Sequence, residues 1–349
     1  MSVARASVGL ARESIAENLH PLPPHPSDVP WPTNSWSRDE ASPATAAIAD
    51  SLFDLEPGQG YTYALLVIKE GKLLYERYAH GSNPIYLQYS WSMAKSVTHA
   101  LVGILVDQGK LGLYEPVAVP EWQGSGDPRH EITLDHLLRM SSGLAFTEVY
   151  VDDQPTDVIP MLMGEGRDDT GAFAAAKPAI HPPGEHWSYS SGTTNIICRI
   201  LRDLIGNGST GMSAFMEEHL FRPLGMRTPT PRYDTSGTFI GSSFLFATPQ
   251  DFARFGYLYL RDGVWDGKRI LPEGWVDYAR TPTYEDDAEA YGAHWWLRPH
   301  SKWFMASGYD GQRILVAPDK DAIVVRCGRT SVDAIEPIWN RLYELVDGL

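Results

Sequence analysis

From Tyr61 to Tyr78 the chain is apolar, β-branched and aromatic on both sides of Glu70-Gly71-Lys72, which predicts a β-hairpin. Val97, Ala100, Leu101, Ile104 and Leu105 then recur at helical spacing, so a helix follows with its head near Ser92. The far end of the chain repeats the order. Arg313 to Ala317 and Ala322 to Cys327 flank Pro318-Asp319-Lys320-Asp321 as a second hairpin, and Ile335, Ile338, Trp339, Leu342, Leu345 and Val346 lay one apolar stripe on a closing helix. Between these ends, Pro- and Gly-rich loops separate short helical patterns such as Leu134 to Met140 and Ile196 to Ile205. A further helix is expected over Asp251 to Leu260, with Thr248-Pro249 as its cap and first residue.

Strands near both ends with helices between them imply one α/β (α+β) sheet domain, residues 46–115 and 241–349, its antiparallel sheet covered by the Ser92 helix and the closing helix. Residues 116–240 form a mainly helical insert domain, and a cleft is expected between the two. The first 45 residues hold Pro21, Pro23, Pro24, Pro26, Pro30 and Pro32, which forbid a long helix after Leu19. They read as a surface arm anchored by Trp31 and Trp36.

A 349-residue chain that is 43% hydrophobic has ample material for a large core. It lacks the run of about 18 apolar residues that a membrane helix needs, and Arg5, Arg12, Glu13 and Glu17 interrupt any apolar signal segment. A cytoplasmic, non-membrane protein is expected. The net charge of −15 argues against nucleic acid as a partner. Cys198 and Cys327 each sit in an apolar run and read as buried thiols. His181 and His186 lie in a Pro-Gly loop without metal-ligand spacing, so neither metal nor other cofactor is expected. The oligomeric state is not legible.

Ser92 and Lys95 stand three apart at the head of the predicted helix and so share a face. There an amine pushed toward neutrality by burial, or by a neighbouring cation, can take the serine's proton. A helix cap followed by a solvated lysine has the same spelling, so the pair gains meaning only from partners farther along the chain. Trp187-Ser188-Tyr189-Ser190-Ser191-Gly192 supplies a phenol, which beside a lysine can exist partly as phenolate and relay protons. Tyr189 as a half-buried loop aromatic and Ser191 as a helix cap is the plainer alternative. In Ala306-Ser307-Gly308-Tyr309-Asp310-Gly311, a glycine within a strand pattern marks close approach of a ligand to the backbone, or an ordinary bulge. An N–H there and that of Ser92 suit an oxyanion.

Ser92-x-x-Lys95, Tyr189-x-Ser191 and Gly308-Tyr309-Asp310-Gly311, in this order, resemble the three motifs of the serine β-lactamase and penicillin-binding-protein superfamily in its class C-like branch. The likeness is strongest to the 6-aminohexanoate-dimer hydrolases and related esterases. Ile132 to Leu138 leading to Ser141-Ser142-Gly143-Leu144, and Pro223-Leu224-Gly225-Met226, agree with it. The resemblance implies a β-lactamase/transpeptidase-like fold and a role for each matched position. Ser92 is the acylated nucleophile, Lys95 lowers its proton affinity, and Tyr189 is general base and then acid toward the leaving group. Backbone N–H groups of Ser92 and Tyr309 form the oxyanion hole. Ser191 bonds substrate or Lys95, Gly308 lines the substrate strand, and Tyr150 matches a tyrosine that closes over substrate in the amide hydrolases; a loop aromatic packed on the domain face is its alternative.

Ala306 stands where relatives acting on β-lactams or peptidoglycan usually carry Lys or His, and it cannot hold a substrate carboxylate. The extra glutamate motif of some β-lactamases is not recognisable. The function implied is a serine hydrolase of small-molecule esters or non-lactam amides. The rivals are a non-catalytic penicillin-binding-like ligand sensor and a β-lactamase or D-amino-acid peptidase.

Overall fold

The computed structural model describes residues 19–150, 154–287 and 290–349. Its first elements correct the picture of the N-terminal arm. Trp31 stacks on His25 with ring centroids 3.9 Å apart, and Trp36 is buried. Ser37–Arg38 (β1) then joins the main sheet as an edge strand, so the arm is partly structural. Helix α1 (Pro43–Ser51) starts on a proline, and the Ser42 hydroxyl accepts from Thr45 N at 3.1 Å as its cap. The predicted hairpin follows as β2 (Gly60–Lys69) and β3 (Lys72–Tyr78). Glu70 and Gly71, at φ 49° and 76°, form its two-residue turn, the backbone hand that matches strand twist. Next come β4 (Gln88–Tyr89) and α2 (Ala94–Asp107).

The middle of the chain contains α3 (Leu134–Leu138), α4 (Val158–Met163), α5 (Thr170–Ala175), α6 (Ser191–Ile205), α7 (Gly208–Met216) and α8 (Arg222–Leu224). It is not purely helical. β5 (Thr230–Pro231) pairs with β6 (Leu245–Ala247), and β6 pairs with β4, tying the end of this region to the segment just before Ser92. Helix α9 (Pro249–Leu260) begins on Pro249 as expected, but the Thr248 side chain makes no capping bond; its hydroxyl meets that of Thr228 at 3.1 Å.

After α9 come β7 (Val264–Trp265), β8 (Lys268–Arg269), α10 (Trp275–Ala279), β9 (Tyr284–Glu285), β10 (Ala290–Tyr291), β11 (Trp296–Leu297), β12 (Phe304–Gly308), β13 (Gln312–Ala317), β14 (Ala322–Thr330) and α11 (Ile335–Asp347). The acidic stretch 281–291 thus carries two short strands, with Glu285 opposite Ala290; Glu289 lies outside the described residues.

The main sheet has the order β1-β3-β2-β14-β13-β12-β11-β10-β9. The strands from the two ends of the chain meet where β14 pairs antiparallel with β2, from Ala322 opposite Lys69 to Thr330 opposite Gly60. The sheet is mixed rather than wholly antiparallel, because β1 runs parallel to β3. Alternation along the strands sends Leu65, Val67, Leu315 and Val324 to one face, where Ile338, Leu342 and Leu345 of α11 and Ala49 of α1 cover them. Leu66, Ile68, Ile314, Val316 and Ile323 face the other way.

On that second face the direct cover is α9, which packs along β2, β13 and β14, while α2, expected there, lies against β12 and α6. Gly256 allows the approach, since a Cβ there would come within 2.5 Å of the Ile314 side chain. One contiguous apolar cluster runs from this face through α2 into α3, α4 and α6, and it fixes the sheet against the helical region. Cys198 and Cys327 are buried free thiols. Among the described residues no helix is long and apolar enough to cross a membrane.

Candidate active site

Ser92 sits ahead of the helix rather than on it, in a 3₁₀ turn over Trp91–Met93 that leads into α2. Trp91 has φ 44°, a left-handed conformation that costs a bulky residue on the order of 1–3 kcal/mol. Its surroundings hold it there. Ser90 N donates to Leu245 O at 2.9 Å, Leu245 N donates to Ser90 Oγ at 3.1 Å, and the Trp91 ring packs on Tyr89, Phe244 and Tyr309. The turn presents the hydroxyl at the end of a cleft of 780 Å³ whose walls include Ser92, Tyr150, Tyr189, Trp296, Gly308 and Tyr309.

Lys95, in the first turn of α2, is 1% exposed. Its Nζ donates to Ser92 Oγ at 3.1 Å, Ser191 Oγ at 2.9 Å and the Ser242 carbonyl at 3.0 Å. It also lies 4.8 Å from the centre of the Tyr189 ring. Burial lowers its pKa from the usual 10.5 to about 8, against an opposing pull from Glu148. Of the two causes considered from the sequence, burial is the one at work; no cation among the described residues contributes.

Tyr189 precedes α6, whose N-cap is Ser190, accepting from Thr193 N at 3.2 Å, and not Ser191. The phenol is near enough to Ser92 and Trp296 for both to act on it. A phenolate is not its resting form. Burial first, and the Glu148 charge second, push its pKa well above the ordinary phenol value. Ser191, fully buried, accepts from Lys95 as anticipated and passes its own proton toward Glu148 Oε1 at 2.9 Å.

Glu148 was missed in the sequence. Its carboxylate accepts from Ser191 N, at the N-terminus of a 15-residue helix, and from the Tyr150 hydroxyl at 2.6 Å. An anion is favoured there by the helix dipole. Nothing in the spacing marks Glu148, because it reaches the site from a loop. Tyr150 is half exposed, 5.3 Å ring to ring from Tyr309, and lines the cleft mouth.

Gly308 lines the cleft, and a further constraint acts on it: a Cβ at this position would come within 2.4 Å of the Ser90 carbonyl, in the nucleophile's own turn. That contact sets β12 and the following Tyr309 beside Ser92.

The serine, the buried lysine bonded to it and the tyrosine near both lie beside a sheet flanked by helices, and the chain belongs to the Beta-lactamase family, whose profile matches residues 54–333. Within it, the chain is 27% identical over 321 residues to the 6-aminohexanoate-dimer hydrolase of Paenarthrobacter ureafaciens, covering 83% of this chain and 80% of the relative. Solved structures share the fold. The "Putative 6-aminohexanoate-dimer hydrolase from Bacillus anthracis" aligns at TM-score 0.73 and 21% identity, over 95% of this chain and 90% of that one. A penicillin-binding protein homologue from Caulobacter crescentus aligns at TM-score 0.68 and 18% identity, over 89% and 98%.

Proposed function

We propose that this member of a hydrolase family cleaves a carboxylic ester or a non-lactam amide through an acyl-enzyme on Ser92, without a cofactor. The observation that carries the reading is the Lys95 amine, buried, shifted to about 8 and 3.1 Å from the Ser92 hydroxyl. Neutral Lys95 takes the Ser92 proton as Oγ adds to the substrate carbonyl carbon. The N–H groups of Ser92 and Tyr309 receive the oxyanion, a contribution of several kcal/mol in such sites.

With its pKa raised, Tyr189 keeps its proton and is suited to hand it to the departing oxygen or nitrogen; the proton that Lys95 took from Ser92 then restores the phenol. Water then enters where the leaving group left, and the same two groups run in reverse to free the acid. Glu148 and Ser191 hold Lys95 in place and accept part of its charge. Tyr150, tied to Glu148 and bordering the mouth, is the group placed to cover a bound substrate.

Amide cleavage is supported by the relative named for hydrolysis of the 6-aminohexanoate dimer; ester cleavage requires less proton donation to the leaving group. Ala306 weighs against β-lactams or cell-wall peptides as the main substrate. Ser92→Ala is expected to abolish 4-nitrophenyl ester hydrolysis while the circular dichroism spectrum is unchanged, and retained turnover would remove Ser92 from the chemistry. A ligand sensor would instead accumulate a stable acyl adduct, visible by intact-protein mass spectrometry, with no product released.

A further inference from the structure

Lys95 is sealed from solvent, 1% exposed, yet a general base changes its protonation state in every cycle. Protons reach or leave such a group along its hydrogen bonds. Its Nζ has three, to Ser92 Oγ, Ser191 Oγ and the Ser242 carbonyl. A carbonyl accepts but has no proton to pass on. Ser92 opens on the cleft, but once acylated its oxygen belongs to an ester and that route is shut. Tyr189 rests protonated, and the hydrogen-bonding neighbours acting on it are Ser92 and the Trp296 indole, a donor only. Cys198, which also acts on Lys95, is a thiol pushed up to about 12 by burial and takes no part near neutrality.

The Ser191 branch continues. Ser191 is the first residue of α6 after its N-cap Ser190, so its backbone N–H has no partner within the helix and donates to Glu148 Oε2. Its hydroxyl accepts from Lys95 at 2.9 Å and donates to Glu148 Oε1 at 2.9 Å. An amine, a hydroxyl and a carboxylate thus stand in line. Glu148 is half-buried, and Tyr150, which donates to it at 2.6 Å, lines the cleft mouth. The line starts at a group without solvent contact and ends at one that has it. Among the described residues, Ser191 N, Ser191 Oγ and Tyr150 Oη fill three of the carboxylate's acceptor positions, which leaves one on Oε2 for water.

We propose that Ser191 and Glu148 form a proton exit for Lys95, used when a leaving group departs without taking the serine's proton. The Lys95 ammonium gives a proton to Ser191 Oγ as the Ser191 proton passes to Glu148 Oε1. This yields a neutral amine, an intact serine hydroxyl and a neutral carboxyl group, which then ionises to water at the mouth. One proton leaves the site and Glu148 returns to its carboxylate. The path stands on the hydrogen bonds, and its place in turnover rests on the proposed acyl-enzyme chemistry. An acyl-enzyme whose lysine is still an ammonium has no base for the attacking water until that proton has gone.

Leaving groups separate this role from mere positioning of Lys95. 4-Nitrophenolate is a weak base and departs bare, so the serine's proton stays on Lys95. Trifluoroethoxide is a strong base and carries the proton away. 4-Nitrophenyl butyrate and trifluoroethyl butyrate place the same butyryl group on Ser92. Its decay, followed by rapid quench and intact-protein mass spectrometry, is expected to be equally fast from both esters in wild type. In Glu148→Gln, decay after the nitrophenyl ester is expected to be roughly tenfold or more slower than after the trifluoroethyl ester. Ser191→Ala interrupts the path while keeping the carboxylate; the same split is expected, and it decides the matter if Glu148→Gln does not fold. Equal decay from both esters in these variants, slowed or not, overturns the exit and leaves Glu148 a positioning group.

A second readout needs no turnover. In Ser92→Val, whose side chain fills the hydroxyl's place without a proton to exchange, nitrogen NMR reads the exchange of the Lys95 Nζ hydrogens with water. Adding Glu148→Gln is expected to slow that exchange roughly tenfold or more, and unchanged exchange overturns the exit. Slowed exchange in a protein whose wild type cleaves no ester or amide would leave the path standing and refute the hydrolase reading instead.

Discussion

The proton on Lys95 is the most exposed point of the proposed chemistry. Burial moves its pKa from 10.5 to about 8, which shifts its protonation balance by about 3.4 kcal/mol toward the neutral amine. At pH 7 roughly one molecule in ten then holds a neutral lysine, against about one in three thousand for an ordinary one, a gain of about 300-fold in competent base. If that amine takes the Ser92 proton, kcat/KM for a neutral 4-nitrophenyl ester rises tenfold per pH unit below about 8 and levels above it. No descending limb from Tyr189 is expected through pH 9, because its pKa is raised rather than lowered. The assay is initial rates between about pH 5.5 and 9.5, corrected for spontaneous hydrolysis, with folding followed by circular dichroism. Lys95→Arg keeps the charge and cannot release its proton; a loss of roughly a thousandfold or more is expected, near the upper range of general-base contributions. A profile flat from pH 6 to 9, or an arginine variant within tenfold of wild type, would refute the assignment of Lys95 as base.

Other consequences arise from named contacts. Glu148 raises the Lys95 pKa, so Glu148→Gln is expected to move the rising limb to lower pH while reducing the plateau; a shift to higher pH would contradict an attraction between the Glu148 carboxylate and the Lys95 ammonium. Tyr150→Phe loses the 2.6 Å bond to Glu148 and is expected to raise KM several-fold with little change in melting temperature, which steady-state kinetics on the same ester would read. Gly308→Ala forces a Cβ to within 2.4 Å of the Ser90 carbonyl, so thermal unfolding is expected to show a loss of about 1–3 kcal/mol, together with reduced kcat as β12 moves away from the Ser92 turn; an unchanged melting temperature would mean that the turn is more compliant than the packing implies. Leu342→Ala, under α11 on the outer sheet face, is expected to cost about 2–5 kcal/mol without altering the pH profile.

Much of this architecture was legible because hydrophobic periodicity is a local property. The two hairpins, the helix after Ser92, the closing helix and the helix starting at Pro249 all announce themselves within a dozen residues, through alternation, the 3.6-residue stripe and the residues tolerated at turns and helix starts. The same holds for Ser92 and Lys95, whose spacing of three residues predicts their meeting even though Ser92 lies in the turn before the helix. Features made by distant segments were not legible. β1 pairs with β3 across a long separation, β6 with β4 and β5 likewise, and α9 rather than α2 covers the inner sheet face. In the closing helix, Ile335 and Trp339 of the predicted core stripe also line the cleft, Trp339 while packing against the outer core.

By itself, then, the order of residues determined which segments become strands and helices and which side chains carry hydroxyl, amine and phenol. Only tertiary packing decided the chemical character of those groups. Lys95 is shifted because the fold excludes water from it, Tyr189 keeps its proton for the same reason, and Glu148 reaches the site from a loop. Desolvation and charge pairing depend on neighbours brought together from far along the chain, and no local pattern encodes them.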